Sequence, residues 1–421
     1  MNKIKAGVIG LGARGKMMIR DVIIPMSKEE NAKIEVSAVC DLYEDRITDA
    51  VELVEKETGK KPACTADYNE LINMSEVNAV LIFADWEMHT KMAVAAMKAG
   101  KYVGLEVAGA YDITDCWRLV DAYEEIGTPL MFLENCCYGK RELMITKMVR
   151  AGFFGEVVHC DGMYAHDLRP EVTKGKENRH YRLRNYINRN CENYPTHELG
   201  PIAKLLNINN GNRLMTLTST ASSARGAHQY VLDTKGADHP LAGAEFSQGD
   251  VVTTVIKCAK GQTITMQLDT TLPRSYSRGF NVRGTKCAYF EDVDTIFENA
   301  KHAHTKYEWG IRSLEGNAAE YEEEFNHEVW KNFEIKGGHG GMDWLVMEAF
   351  VKSITEGHRF PLDVYDAATY MSITPLSEQS IATGSAPVVI PDFTRGKWMR
   401  RDDIEEWDYS LDVKEIYKDL Y

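Results

Sequence analysis

Three short stretches of the chain hold residue types whose spacing could do chemistry. Asn193-Tyr194-Pro195-Thr196-His197-Glu198-Leu199-Gly200-Pro201 sets a tyrosine, a histidine and a glutamate side by side. Gly10-Leu11-Gly12-Ala13-Arg14-Gly15 is a GxGxxG sequence, and Asp41 closes the next apolar run. His197 followed by Glu198 opens like a zinc-protease helix. That motif needs a second histidine four residues after the first, on the same helical face, and Pro201 stands there. No metal is expected. Histidine is the commonest general acid/base because its imidazole titrates near neutrality. Pro195 tolerates a missing N–H where a helix begins and fixes how the chain enters it. The segment is read as presenting Tyr194 and His197 together at a helix start.

The glycine turn gains meaning from its surroundings. A strand precedes it, a helix follows, and an acid ends the next strand, which together are the requirements of a dinucleotide site. Glycines allow a tight turn and close approach of main chain to pyrophosphate, whose charge then sits at the positive end of a helix. Asp41 is placed to accept hydrogen bonds from the adenosine ribose. A 2′-phosphate would meet a carboxylate there, so the expected cofactor is NAD.

The elements that must hold these residues follow from periodicity. Apolar runs at Ile4–Gly10, Ile34–Cys40, Ala79–Ala84, Tyr102–Val107 and Leu130–Leu133 alternate with amphipathic stretches, and Met92, Ala95, Ala96 and Ala99 share one helical face. That rhythm predicts a doubly wound parallel sheet covered on both sides. After residue 137 the runs lengthen and alternate: Val157–His166, Leu214–Thr220, Val251–Ile256, Thr263–Thr270 and Phe280–Arg283. They predict a mostly antiparallel sheet with one face packed and one free. Arg169–Arg189 is rich in Lys and Arg without apolar periodicity and reads as a loop; a helix resumes from Gly341. The fold class is α/β. The expected domains are 1–137, dinucleotide-binding, and 138–421, substrate-binding, with the C-terminal segment packing back on the first.

Bulk composition excludes more than it identifies. A chain of 421 residues exceeds one small core. Its net charge of −14 disfavours nucleic acid and anionic membranes as partners. Nine scattered cysteines without a CxxC read as reduced thiols. With no signal-like N-terminus and no apolar run of spanning length, the expected location is cytoplasmic.

Longer blocks carry a family resemblance: WEMHT at 86–90, LENCCYG at 133–139, GEVVHCDGMYAHDLR at 155–169, RSYSRGFNVRGTK at 274–286, GGHGGMDW at 337–344 and PDFTRGKW at 391–398. With NYPTHELGP they resemble the Gfo/Idh/MocA oxidoreductases over nearly the whole chain, and within them the NAD-dependent α-N-acetylgalactosaminidases, glycoside hydrolase family 109. The resemblance implies an N-terminal Rossmann domain and a C-terminal α/β domain with an open sheet through which copies could assemble. Many superfamily members carry an EKP motif whose lysine assists hydride transfer. The corresponding stretch here is Gly104-Leu105-Glu106-Val107-Ala108, so Val107 stands in that lysine's place.

By resemblance, Gly10, Gly12, Arg14, Gly15 and Asp41 hold the dinucleotide. Trp86, His89, Glu106, Val107 and Asn135 line its nicotinamide end, with Tyr194 to His197 closing over it. Tyr164, Arg182, Tyr194 and Tyr276 contact a sugar, and His197 with Tyr194 does the chemistry. Taken alone these residues have plainer readings: a helix cap for His197, sheet aromatics for Tyr164 and Tyr276, a solvated basic loop for Arg182. His339, between glycine pairs, reads either as a pocket residue or as a flexible helix start. His302 and His304 lack a matching third ligand and read as a solvated loop. Two departures stand out. The family usually has glycine where Glu198 follows the histidine, and proline where Ala108 follows Val107. The first is expected to reshape the sugar pocket.

The implied reaction is glycoside hydrolysis by oxidation at C3, elimination across C1–C2, water addition and re-reduction, with no net redox. Two other readings remain open on sequence: a conventional NAD-dependent sugar or polyol dehydrogenase, and a cofactor-binding regulator without catalysis.

Overall fold

The computed structural model describes residues 3–174, 179, 181–302 and 314–413. The chain forms two compact units. The first comprises Met1–Gly139, Val329–Thr369 and Phe393–Tyr421; the second comprises Lys140–Glu328 and Tyr370–Asp392. Two stretches beyond residue 138 therefore cluster with the first unit.

In the first unit six strands, β1 (Ile4–Ile9), β2 (Ile34–Cys40), β3 (Ala63–Thr65), β4 (Ala79–Ile82), β5 (Tyr102–Leu105) and β6 (Leu130–Phe132), pair in parallel in the order β3-β2-β1-β4-β5-β6. This is the doubly wound order, and the direction of winding reverses between β1 and β4, where such folds bind dinucleotides. β4 is buried at every position and β1 at all but Lys5, as expected of strands covered on both faces. Helix Met342–Lys352 lies over the sheet at Gly104, where an added Cβ would press on Leu81 and come within 3.4 Å of Phe350. β3 is three residues long, too short for an apolar period, and has no counterpart in the sequence reading.

The second unit is built on eight strands: β7 (Val157–Ala165), β8 (Leu214–Ala221), β9 (Val251–Cys258), β10 (Thr263–Asp269), β11 (Asn281–Gly284), β12 (Cys287–Phe290), β13 (Thr295–Glu298) and β14 (Val388–Val389). Their order is β13-β12-β11-β7-β10-β9-β8-β14, antiparallel throughout except for the parallel β7–β10 pair. Alternation sorts the faces. Ile264, Met266 and Leu268 of β10 are buried while Thr263, Thr265 and Gln267 are not, and β9 repeats the pattern. Helix Thr196–Leu205 packs on the buried face against β7. Gly162 makes this possible, because a Cβ there would stand 2.6 Å from the Glu198 carbonyl oxygen. Helix Ile373–Ala382 covers β8 on the same unit. The stretch read as a loop, Arg169–Arg189, instead contains helical turns at Arg169–Val172 and Arg182–Asn188. Its dense positive charge hid them, because side chains partnered outside the helix obscure the apolar period. Of the two histidines in Lys301-His302-Ala303-His304, His304 lies outside the described residues, and His302 is buried with its Nδ1 accepting the Glu298 N–H at 3.0 Å.

Candidate active-site residues

The glycine turn in the first unit gives each glycine a separate reason. Gly10 has φ +90°, and a Cβ there would stand 2.5 Å from the Phe83 main chain; at Gly15 it would meet the Gly10 carbonyl oxygen. Gly12 differs. Its φ of −67° suits any residue, and an added Cβ would find only the far end of Arg46, at 3.5 Å. Nothing inside the protein requires glycine at that position. A pyrophosphate approaching the main chain would, so the residues present fit a dinucleotide.

Asp41 is buried and braces the same turn. Its Oδ2 accepts the Leu11 N–H at 2.7 Å and its Oδ1 accepts the Tyr43 N–H at 3.1 Å. Arg46 stands 3.6 Å from Oδ2. Trp86 and His89 belong to helix Trp86–Lys98, which Asp85 caps by accepting the Met88 N–H. His89 is fully enclosed, with Nε2 2.9 Å from the Ala84 carbonyl oxygen. Burial pushes its imidazole down to about 4, so the ring is neutral at physiological pH. Val107 is buried directly after β5.

Arg14 and Asn135 converge on a residue the sequence reading missed, Asp343, and Arg14 also holds Glu106. Arg14 donates from Nε to Glu106 at 2.8 Å and from both terminal nitrogens to Asp343 at 2.8 and 2.9 Å. Asn135 Nδ2 donates to Asp343 Oδ1 at 2.7 Å, and His339 Nδ1 stands 2.7 Å from Oδ2. The Asp343 side chain is wholly buried. Burial alone would raise its carboxyl; the hydrogen bonds and positive charge of His339 and Arg14 overcome this and hold it well below the usual carboxylate range. His339 itself is half exposed, with φ +50° among four glycines, the neighbouring pair Gly340 and Gly341 also at positive φ. The i, i+4 spacing of His339 and Asp343 was the available signal for their partnership.

In the second unit the five residues expected around a sugar do come together. Helix Thr196–Leu205 begins with Pro195 at its cap, so His197 lies in the first turn. The Tyr194 and His197 rings are 4.9 Å apart, centroid to centroid, and nearly perpendicular. Tyr164, from β7, lies 4.4 Å from Tyr194 and 5.8 Å from His197. The Arg182 guanidinium sits over the Tyr194 ring at 5.0 Å, with Glu171 3.6 Å from its Nε. Tyr276 is half exposed and joins through His166, whose ring is 5.3 Å away and whose Nδ1 is 3.4 Å from the Tyr164 hydroxyl. Burial and the Arg182 charge lower the His166 imidazole. His166 was unmarked in sequence, although it sits two residues after Tyr164, just past the end of β7.

Glu198 does not point toward these rings. It is 2% exposed, and its Oε2 accepts the main-chain N–H of Gln267 in β10 at 3.0 Å. The expectation that it reshapes the sugar pocket finds no direct contact in its support. Glu192, itself 0% exposed, is the acid whose charge acts on the Glu198 carboxyl. Burial and mutual repulsion raise both, Glu192 to about 7 and Glu198 further.

Comparison with known proteins divides the chain near residue 135. Residues 4–133 match the oxidoreductase family with an NAD-binding Rossmann fold, and residues 138–400 match the C-terminal domain of glycosyl hydrolase 109. The chain is 36% identical to an α-N-acetylgalactosaminidase of Tannerella forsythia, over 94% of this chain and 88% of that one. It is 35% identical to an α-N-acetylgalactosaminidase of Shewanella oneidensis, over 94% and 86%. Among solved structures, a levoglucosan dehydrogenase in complex with NADH and levoglucosan superposes with a TM-score of 0.69 at 17% identity, covering 92% of this chain and all of that one. That likeness shows the fold.

Proposed function

Starting from the fact that the chain belongs to glycosyl hydrolase family 109, we propose that it hydrolyses α-N-acetylgalactosaminides by a redox-neutral cycle. The observation that carries this reading is the close packing of Tyr194, His197 and Tyr164 at one helix start, beneath the Arg182 guanidinium. Val107 occupies the position where a dehydrogenase of this superfamily would carry lysine.

Bound NAD would supply a reversible hydride acceptor for C3 of the sugar. Gly10, Gly12, Gly15 and Asp41 would hold its adenosine and phosphates; Arg14, Trp86, His89, Glu106, Val107 and Asn135 would line its other end. A sugar C2–H beside an alcohol is too weak an acid for any side chain, but beside a C3 ketone it becomes acidic. His197 and Tyr194 are the groups we assign to the C3 hydroxyl proton and the C2 proton. Arg182 supplies positive charge for the enolate oxygen, the kind of fixed electrostatic stabilisation that usually dominates catalysis. Loss of the C1 substituent, addition of water and return of the hydride complete hydrolysis.

Direct displacement by paired carboxylates needs two carboxyls ~5–9.5 Å apart with a sugar carbon between them. Glu192 and Glu198 are both enclosed in the protein, so they do not offer a sugar that arrangement. Nine free thiols, eight of them buried, favour a reducing, cytoplasmic location. The outward face of the second sheet, with Val255 and Val389 exposed, is the surface we assign to assembly of copies. Among the described residues no helix is long and apolar enough to cross a membrane.

The test is turnover of a chromogenic α-GalNAc glycoside in D₂O. Elimination removes the C2 proton, so the released sugar should carry deuterium at C2. A fully protonated C2 after complete turnover would sink the cycle even if hydrolysis occurred. Reduced cofactor accumulating with free sugars would identify a dehydrogenase instead.

A further inference from the structure

Between helix Arg182–Asn188 and helix Thr196–Leu205 the chain is neither helix nor strand, yet Cys191, Glu192 and Asn193 are buried. Irregular main chain out of water has no ladder to join, so its N–H and C=O groups need partners from elsewhere in the protein. Helix Ile373–Ala382 serves Glu192: Ser377 Oγ accepts its N–H at 2.8 Å, and Thr374 Oγ1 donates to its carbonyl at 2.7 Å. Gln248 serves the residue before. Its Oε1 accepts the Cys191 N–H at 3.3 Å, and its Nε2 donates to the Cys191 carbonyl at 3.0 Å. The same Oε1 accepts from Asn193 Nδ2, and Nε2 also donates to the Gly249 carbonyl at 3.2 Å. A primary amide offers two donors and two acceptor sites. Gln248 uses all four.

The loop that carries Gln248 is itself anchored. A Cβ on Gly249 would stand 2.5 Å from the Ser222 carbonyl oxygen, and the Gly249 N–H donates to Asn190 Oδ1 at 3.0 Å. Asp250 accepts the Arg225 N–H at 2.7 Å, the Gly226 N–H at 2.9 Å and the Thr271 hydroxyl at 2.6 Å. The N–H groups of Ser247 and Gln248 both donate to the Tyr186 carbonyl, at 3.1 and 3.0 Å. Tyr186 belongs to helix Arg182–Asn188, whose first residue lays its guanidinium over the Tyr194 ring. One loop therefore grips the Arg182 helix through its main chain. Through one side chain it grips the entry to the segment that bears Tyr194 and His197.

We propose that Gln248 is a positioning residue: its amide fixes Tyr194 and His197 on one segment relative to Arg182 on the other. This rests on the function proposed above for those three residues. Gln248 is 2% exposed, so it acts on a sugar only through the groups it holds. Asn193 passes the constraint along, its amide held by Gln248 and its Oδ1 accepting from Cys191 Sγ at 3.3 Å, directly before Tyr194. An apolar side chain of the same length would leave the Cys191 N–H and carbonyl without partners where water does not reach. The segment relieves that cost only by moving, and Tyr194 moves with it.

The test compares the NAD-loaded full chain as wild type, Gln248→Met, Gln248→Glu and a control. The control, Ile296→Ala, opens a cavity at a buried position on β13, at the far end of the sheet from β9. On a chromogenic α-GalNAc glycoside, Gln248→Met should lower kcat roughly tenfold to a hundredfold, with a smaller change in KM. Gln248→Glu keeps the two acceptor bonds and loses the two donors, so its kcat should fall in between; it carries the test if Gln248→Met does not fold. Ile296→Ala should lose stability and keep kcat. The NMR shifts of the labelled His197 ring, which feels the ring current of Tyr194, need no turnover. They should move in the Gln248 variants and stay in Ile296→Ala. That pattern supports the positioning role even if the wild type cleaves no glycoside, in which case only the proposed function fails. Unmoved His197 shifts or wild-type kcat in the folded Gln248 variants, or an equal loss of kcat in Ile296→Ala, overturns it.

Discussion

The buried charge in the first unit and the buried charge in the second are handled in opposite ways. Asp343 is enclosed with Arg14, Asn135 and His339 around it, every contact a donor, and its carboxyl is held ionised. Glu198 is enclosed with another acid and one main-chain N–H, and its carboxyl is held protonated. Desolvation is the largest influence on both and pushes both upward. The sign of the neighbours decides the outcome. Burial alone therefore says little about the charge a carboxyl carries, and the two sites should fail at opposite ends of the pH scale.

The largest effect should come from Asp343→Ala. It strips Arg14 of a bidentate partner and leaves a guanidinium mostly buried, a loss of ~3–5 kcal/mol by analogy with other broken buried pairs. Denaturant unfolding should show it, together with weaker NAD retention after gel filtration. A change below ~1 kcal/mol would mean the network behaves as a surface pair and erase the contrast.

Next in size is the pH dependence of stability. A group raised on folding, such as Glu192, contributes stability that is fully present below its unfolded value near 4.3 and lost as pH rises through its folded value, about 7. Asp343 is lowered, so its contribution is present above its unfolded value and lost as pH falls. Unfolding midpoints should thus decline from pH 5 to 8 in wild type and decline less in Glu198→Gln, while the acid-side loss remains. Identical slopes in the two proteins would contradict the assignment of the neutral-pH limb to the acid pair.

Gly162→Ala probes the second unit without touching a charge. The added methyl meets the Glu198 carbonyl oxygen at 2.6 Å, and overpacking of this kind costs ~1–3 kcal/mol. Because the helix start must shift, kcat should fall with stability. A stability loss at unchanged kcat would separate helix seating from catalysis. The smallest effect belongs to His339→Ala. Its ring is half exposed and gives one hydrogen bond to a carboxylate that keeps three others from Arg14 and Asn135, so a loss of ~0.5–1.5 kcal/mol is expected. An effect as large as that of Asp343→Ala would make the histidine a main support of the network.

How much of this was legible in sequence depends on distance along the chain. The glycine turn, the strand after it and Asp41 are local, and the apolar runs mark five of the six parallel strands to within two residues. Tyr194 and His197 lie on one short segment, so a single motif exposed both. Asp343 is another matter: it meets Arg14 across 329 residues and Asn135 across 208, and no period or spacing reports such a pairing. β12, β13 and β14 are four residues or fewer and fell below the length at which alternation can be read. Glu198 was visible as a departure from the family. Its direction was not, because the group its carboxyl meets, the Gln267 N–H, lies 69 positions later.

The distribution of sulfur has a practical consequence. All nine cysteines are free and only Cys64 is exposed. Thiol reagents attack the thiolate, and desolvation suppresses that form at Cys40, Cys116, Cys160, Cys191, Cys258 and Cys287. The unaltered protein therefore offers one address to a maleimide dye. That address lies on β3, paired with Val39, two residues before Asp41. A fluorophore attached there reports from the edge of the nucleotide-binding sheet, with no cysteine added or removed.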